Sequence, residues 1–291
     1  MNREAIFSDG TEFYLSPAEP VEYDKVKIRL RTAKNDVNRV VLMFPEQHIQ
    51  MKIVKSDALF DYYEGEFWLE NQPINYYFKI EKENEAVYFN QEGVVDQINP
   101  FYNHRIIPGY KTPDWAKGAV YYQIFVDRFA NGNMGNNVEN REYIYIGEPV
   151  NPVEDWYKYP ESMGVREFYG GDLKGIMSKL DYLQELGVEV LYLNPIFVSP
   201  SNHKYDIQGY DYIDPHVGKI VIDEGKLLKE GDLDNRHAEK YRIRTTNKKN
   251  LEASNALFIR LVEELHKRGM KIIIDGVFNH CGSFNKWLDR E

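Results

Sequence analysis

Cysteine is nearly missing from this chain: Cys281 stands alone among 291 residues. That excludes an internal disulfide and any cysteine cluster for metal. Long apolar runs are missing as well. None reaches the roughly 18 residues that a bilayer-spanning helix needs. Positive charge is in deficit, with 36 Lys and Arg against 46 Asp and Glu and a net charge of −10. A field of that sign opposes phosphate backbones and anionic lipid surfaces, so neither nucleic acid nor membrane is expected as a partner. The opening, MNREAIFSDG, carries Arg and Glu where an export signal would be apolar, and a cytoplasmic protein is expected. No Gly-rich phosphate loop and no serine nucleophile elbow occurs.

Aromatic rings are what the sequence has in excess. They make up 14% of the residues, and 22 are Tyr. Tyrosine joins an apolar face to a polar tip, which suits sugar rings. A β-rich first half accounts for the same excess, because Tyr and Phe favour strands. At about 150 residues per domain the length corresponds to two domains, each with room for a core.

Residues 1–112 read as all-β. Val26–Arg31 alternates apolar and charged with period two, and Val40–Phe44 is a short apolar run ended by Pro45. Tyr62–Leu69 and Ile74–Ile80 read as a strand pair joined by Glu70-Asn-Gln-Pro73, and Ala86–Phe89 follows. Strands at this spacing suggest a β-sandwich. Residues 108–117, punctuated by Pro and Gly, read as a linker. Beyond it the grammar changes. Ala119–Val126 is a mostly apolar strand, and Leu173, Ile176, Met177, Leu180 and Leu183 recur at helical spacing before Gly187. Val188–Leu193 is the next strand. Leu257, Leu261, Val262 and Leu265 mark a helix that Gly269 ends, and Lys271–Asp275 is a third strand. Strand–helix alternation predicts a parallel sheet. The loops 127–171 and 195–252 are too long for connectors and follow strand C-terminal ends, where α/β barrels build their sites.

The strand ending Asp275-Gly-Val-Phe-Asn279-His280 delivers a carboxylate, an amide and an imidazole together. This segment resembles a short signature region of the α-amylase family of glycoside hydrolases. Further segments agree in order: Val120-Tyr-Tyr-Gln-Ile-Phe-Val-Asp-Arg-Phe129, Phe168-Tyr-Gly-Gly-Asp-Leu173, Gly187–Phe197 and His203–Gly218. The aromatic β-domain followed by Pro113-Asp-Trp-Ala-Lys117 is similar to the neopullulanase, cyclomaltodextrinase and maltogenic amylase subgroup. The resemblance implies an N-terminal β-sandwich of carbohydrate-binding type at 1–112. It implies the first three or so β/α units of a (β/α)8 TIM barrel at 113–291, with a long inserted loop after the second strand.

The implied chemistry is retaining hydrolysis of α-1,4-glucosidic bonds in maltooligosaccharides, cyclodextrins or pullulan. That reaction uses two carboxyl groups about 5–5.5 Å apart. The Gly-x-Arg-x-Asp string that carries the family's nucleophile does not occur. The nearest string, Gly164-Val-Arg166-Glu-Phe168, lacks the Asp. No catalytic residue is therefore assigned, the nucleophile and acid/base are expected beyond residue 291, and the chain alone is expected to be inactive. By resemblance, Tyr205 stacks under a sugar ring, Asp275 and His280 line the same subsite, and His203 and Asp206 flank it. A non-catalytic glucan binder, or a split barrel completed by another chain, are the alternatives; the whole enzyme is expected to be able to form a homodimer.

Asn131, Asn133, Asn136 and Asn137, with Gly170 and Asp172, form a second constellation. Amide, carboxylate and backbone oxygens are the hard ligands that calcium takes. The spacing resembles the subgroup's calcium site, although Asn133 and Asn137 stand where Asp is common, which lowers the charge. A Gly/Asn-rich turn is the plain reading of the same string. The mixed-charge run Glu224–Arg244 reads as a solvated excursion. His48, His104, His216, His237 and His266 show no ligand spacing. Trp68, Trp115 and Trp156 suit sugar stacking or packing.

Overall fold

The computed structural model describes residues 1–288. The chain divides into two compact units, Met1–Lys117 and Gly118–Glu291, so the break falls after Lys117 at the end of the linker stretch rather than after Thr112.

Period-two alternation builds the first unit. In β2 (Lys25–Ala33) Val26, Ile28 and Leu30 are buried while Lys25 and Lys27 face solvent. One sheet runs β1 (Leu15–Ser16), β2, β6 (Phe60–Trp68), β5 (Lys52–Ser56). The other runs β4 (His48–Gln50), β3 (Arg39–Met43), β7 (Ile74–Lys82), β8 (Glu85–Asn90), β9 (Gly93–Val95), with β10 (His104–Ile106) also on β7. Residues of both sheets, among them Ile28, Leu30, Leu42, Phe78 and Ile80, share one core. One expectation fails here. β6 and β7 do not pair with each other: β6 bonds β2 and β5, whereas β7 bonds β3, β8 and β10. Glu70–Pro73 is a crossing between sheets. Each strand buries one face, and those faces meet across the core rather than side by side.

The second unit is built on three parallel strands, β11 (Tyr121–Ile124), β16 (Val190–Leu193) and β19 (Lys271–Ile274), in that spatial order. Between the first two lie four two-residue strands, β12 (Ile144–Tyr145), β13 (Glu148–Pro149), β14 (Asn151–Pro152) and β15 (Glu167–Phe168), then the helices α1 (Leu173–Ser178) and α2 (Leu180–Glu185). The single helix expected over 173–183 is broken at Lys179, whose φ of −110° and ψ of 7° leave the helical region. Between β16 and β19 come the hairpin β17 (Phe197–Val198) and β18 (Gly209–Ile213), then α3 (Glu239–Thr246) and α4 (Lys248–Lys267). Asn247 caps α4 by accepting the Lys249 N–H at 3.0 Å, and Gly269 follows at φ +74°. Leu173, Ile176, Leu180, Leu183, Leu261 and Leu265 pack on Leu191 and Leu193 of the sheet. The described residues form these three parallel strands and no closed barrel.

The stretch 195–252 is thus not a loop throughout, and Glu224–Arg244 is not a solvated excursion. Lys226, Lys229 and Arg242 are exposed, but Leu228, Ala238, Tyr241 and Arg244 are buried. They belong to, or border, a third core with Val138, Tyr143 and Phe168. Charge counting hid a one-sided segment.

Candidate functional site

Asp275 leaves the sheet at the C-terminal end of β19, its N–H bonded to Leu193 O at 3.0 Å. The Tyr205 hydroxyl donates to Asp275 Oδ2 at 2.7 Å, across 70 residues of sequence. That bond, then burial, pushes the Tyr205 hydroxyl up to about 12, so it stays a neutral donor. Burial, then the Asp275 charge, raises Tyr192 on β16 as well. His203 stacks on Tyr205 with ring centroids 5.9 Å apart, and its Nδ1 accepts the Tyr205 N–H at 3.1 Å. Burial lowers its pKa and favours the neutral imidazole that this acceptor role requires. Asp206 accepts from the hydroxyls of Ser199, at 2.6 Å, and Ser201. The structure therefore brings Tyr205, Asp275 and His203 together. The His280 ring is exposed, with Asn279 Nδ2 at 3.4 Å, while its carbonyl accepts the Tyr210 hydroxyl at 3.0 Å. Tyr210 lies stacked between Phe278 and Trp287, at 6.4 and 5.6 Å.

The Asn/Gly loop closes on the start of α1. Asp172 is the N-cap: its Oδ1 accepts from Gly175 N–H at 2.6 Å and Gly132 N–H at 3.0 Å. A Cβ at Gly175 would lie 1.8 Å from Ala130 O, so only glycine lets the loop approach this closely. Gly170 sits at φ +80°, and a Cβ there would come within 2.7 Å of the Asn131 and Asn137 amides. Asn131 Nδ2 donates to Asn137 Oδ1 at 3.0 Å, and Asn136 Nδ2 to Gly218 O at 3.0 Å. Asn131 Oδ1, Asn136 Oδ1 and Asp172 Oδ2 are buried without a hydrogen-bond partner. Orphaned buried oxygens of this kind carry a desolvation cost that a cation removes. Burial also pushes the Asp172 carboxyl up. Asn133 is the exception, its Oδ1 accepting the Gly135 N–H at 3.3 Å. Among the described residues no group of three or more His, Cys, Asp or Glu is arranged to hold a metal. The cradle's donors are amides and one carboxylate, which suit a hard cation.

Sequence reasoning passed over Asp127, Glu142, Lys204, Asp214, His216 and Arg244. Asp127 is buried behind Gly170 and accepts its N–H and that of Tyr169, each at 3.1 Å; burial holds the carboxyl up at about 6. The other five form one buried ionic string. Glu142 lies 74 residues from His216 and 102 from Arg244, and contacts at such separations leave no periodic signal in sequence. Asp214-Pro-His216 inside a loop segment was the one available hint.

The comparisons with known proteins agree with one another. A family model described as the catalytic domain of alpha amylase matches residues 123–228 and 253–291. Another, described as the N-terminal Ig-like domain of alpha amylase, matches residues 1–105. Neopullulanase 2 of Thermoactinomyces vulgaris is 35% identical over 295 residues, covering 96% of this chain and 42% of that protein. A cyclomaltodextrinase of Thermoanaerobacter pseudethanolicus is 32% identical, over 97% of this chain and 43% of its own length. An intracellular maltogenic amylase of Bacillus subtilis is 32% identical, over 91% of this chain and 40% of its own. The solved structure of the type III pullulan hydrolase from Thermococcus kodakarensis superposes with a TM-score of 0.51 at 25% identity, covering 96% of this chain and 42% of that one. The chain spans less than half the length of these relatives. On both family matches and on relatives that align along nearly its whole length, this chain belongs to the α-amylase family of glycoside hydrolases.

Proposed function

We propose that this chain supplies the sugar-facing wall of an α-glucan hydrolase of the neopullulanase, cyclomaltodextrinase and maltogenic amylase type. The observation that carries the reading is the Tyr205–Asp275 bond at the C-terminal end of the parallel strands. The Tyr205 ring offers an apolar face to a pyranose, and the Asp275 carboxylate accepts sugar hydroxyls. His203 braces Tyr205 from the side. The relatives' names include pullulan and cyclomaltodextrin hydrolases, which supports α-1,4-linked glucans as the substrate class. Retaining hydrolysis requires a second carboxyl about 5–5.5 Å from the first. With no Gly-x-Arg-x-Asp among these 291 residues, we propose that they do not hydrolyse glucan by themselves. The test is reducing-sugar release from β-cyclodextrin, pullulan and soluble starch by the purified, folded chain. None above the protein-free control is expected; turnover that tracks the chain through purification overturns this part.

Calcium belongs to the same proposal. The oxygens of Asn131, Asn136 and Asp172 would hold it, with Asn137 and Gly170 closing the cradle. When bound, calcium supplies only positive charge and oxygen coordination, and so ties the loop to the start of α1. One carboxylate places the affinity at the weak end of the calcium range. Isothermal titration with calcium should show binding that Asp172→Asn abolishes; equal binding by the variant would refute the assignment. Homodimer formation by the whole enzyme and a cytoplasmic setting complete the proposal, the latter supported by the intracellular relative.

A further inference from the structure

The catalytic-domain match passes over residues 229–252, yet that stretch holds Arg244, a buried side chain bonded through all three of its nitrogens. Arg244, on α3, is 1% exposed. Its Nε and Nη2 donate to Asp223 at 2.7 and 2.9 Å, and Nη2 also reaches Glu139 at 2.7 Å. Its Nη1 donates to Glu142 Oε2 at 2.8 Å and to the main-chain oxygen of Asn137 at 2.9 Å. All five donors are used. The other oxygen of Glu142 faces His216 Nε2 at 2.8 Å, and His216 Nδ1 faces Asp214 Oδ1 at 2.9 Å. Asp214 Oδ2 accepts from Lys204 Nζ at 2.7 Å and from the Ser199 N–H at 3.1 Å. Lys204 is 2% exposed and sits at φ +57°, immediately before Tyr205. With Lys240 beside Glu139 and Asp223, four cations (Arg244, Lys240, His216 and Lys204) balance four carboxylates (Glu139, Asp223, Glu142 and Asp214).

Buried ion pairs often add little to stability over apolar packing of the same volume. What this string does add is placement, because its ends are not arbitrary. One end grips the carbonyl of Asn137, whose side chain closes the cation cradle. The other holds a buried lysine in a left-handed backbone conformation next to the sugar-facing tyrosine. A second tie runs in parallel: Asn136 Nδ2 donates to Gly218 O, and the Gly218 N–H to Asp214 O at 2.8 Å.

We propose that Arg244 and Lys204 are positioning residues at the two ends of one buried ionic relay, through Glu142, His216 and Asp214, that links cation binding at the cradle to the placement of Tyr205. This rests on the calcium reading of the cradle. Linkage makes the effect reciprocal: whatever factor calcium adds to sugar affinity, sugar adds to calcium affinity.

Hydrogen exchange with calcium alone as the probe tests it. In the unaltered chain, calcium should slow exchange in 131–142 and also in 199–206. Arg244→Lys keeps a cation but loses the forked contacts. It should still gain protection at 131–142, at calcium concentrations roughly ten-fold higher, and lose the calcium-dependent gain at 199–206. If Arg244→Lys does not fold, Glu142→Gln, which preserves shape, should show the same selective loss. A purely structural Arg244 would raise exchange in both segments with or without calcium and leave the calcium-dependent difference intact, which overturns the relay. Protection confined to 131–142 in the unaltered chain overturns it too, while leaving the cradle standing. No calcium response in either segment removes the cradle reading and the relay with it.

Discussion

The Tyr205 hydroxyl makes a charge-assisted bond to Asp275, and such bonds carry about 1.5–3 kcal/mol. Asp275→Asn removes that charge from both the tyrosine and any sugar hydroxyl. Maltotriose affinity measured by calorimetry should therefore fall about ten-fold or more, with the fold retained by circular dichroism. His216 makes a prediction in pH. Burial opposes its charge, but Glu142 and Asp214 outweigh burial and hold its pKa at about 9, above the ordinary value of 6.5. A raised folded-state pKa means that the stabilisation is complete below pH 6.5 and is lost as pH rises through about 9. The difference corresponds to about 3 kcal/mol. Urea unfolding midpoints should decline across that window. In His216→Gln the decline should be absent; an unchanged decline would locate it elsewhere.

Elements were easier to read than the contacts between them. The three parallel strands and α4 announce themselves through apolar periodicity, because burial on a sheet or along a helix stripe leaves a regular signature. Breaking that stripe is costly: Leu261→Ala, at a fully buried position of α4, should lower unfolding free energy by about 2–5 kcal/mol in urea titrations. Gly170→Ala should cost about 1–3 kcal/mol from backbone strain, before adding the 2.7 Å approach of its Cβ to two amides. Thermal scans should show that loss both with and without calcium, because the strain is in the backbone itself. What periodicity did not carry was partner choice. Tyr62–Leu69 and Ile74–Ile80 look like a hairpin, since a four-residue connection permits one. Which sheet each joins is decided by the facing core, not by the connection. The same holds for α3, where alternating Lys and Arg mask Tyr241 and Arg244 turned inward.

At the scale of the molecule, motif order identified the family, and geometry then sorted the motif residues. Tyr205, His203 and Asp275 meet; Asn131, Asn136, Asn137, Gly170 and Asp172 meet; His280 stays exposed and Asn133 caps its own turn. The ionic string between these groups was illegible, because residues 137, 142, 204, 214, 216 and 244 converge only after folding. Calcium at a hundred times its dissociation constant should stabilise the chain by about 2.7 kcal/mol, read as a rise in melting temperature that Asp172→Asn abolishes. The most direct test of the whole account is a maltotriose titration followed through the tyrosine ring NMR signals, with Tyr205 assigned by Tyr205→Phe. The account predicts that the Tyr205 signals shift in a saturable way and that Asp275→Asn weakens the response. Saturable shifts that spare Tyr205, or none at millimolar sugar, would contradict it.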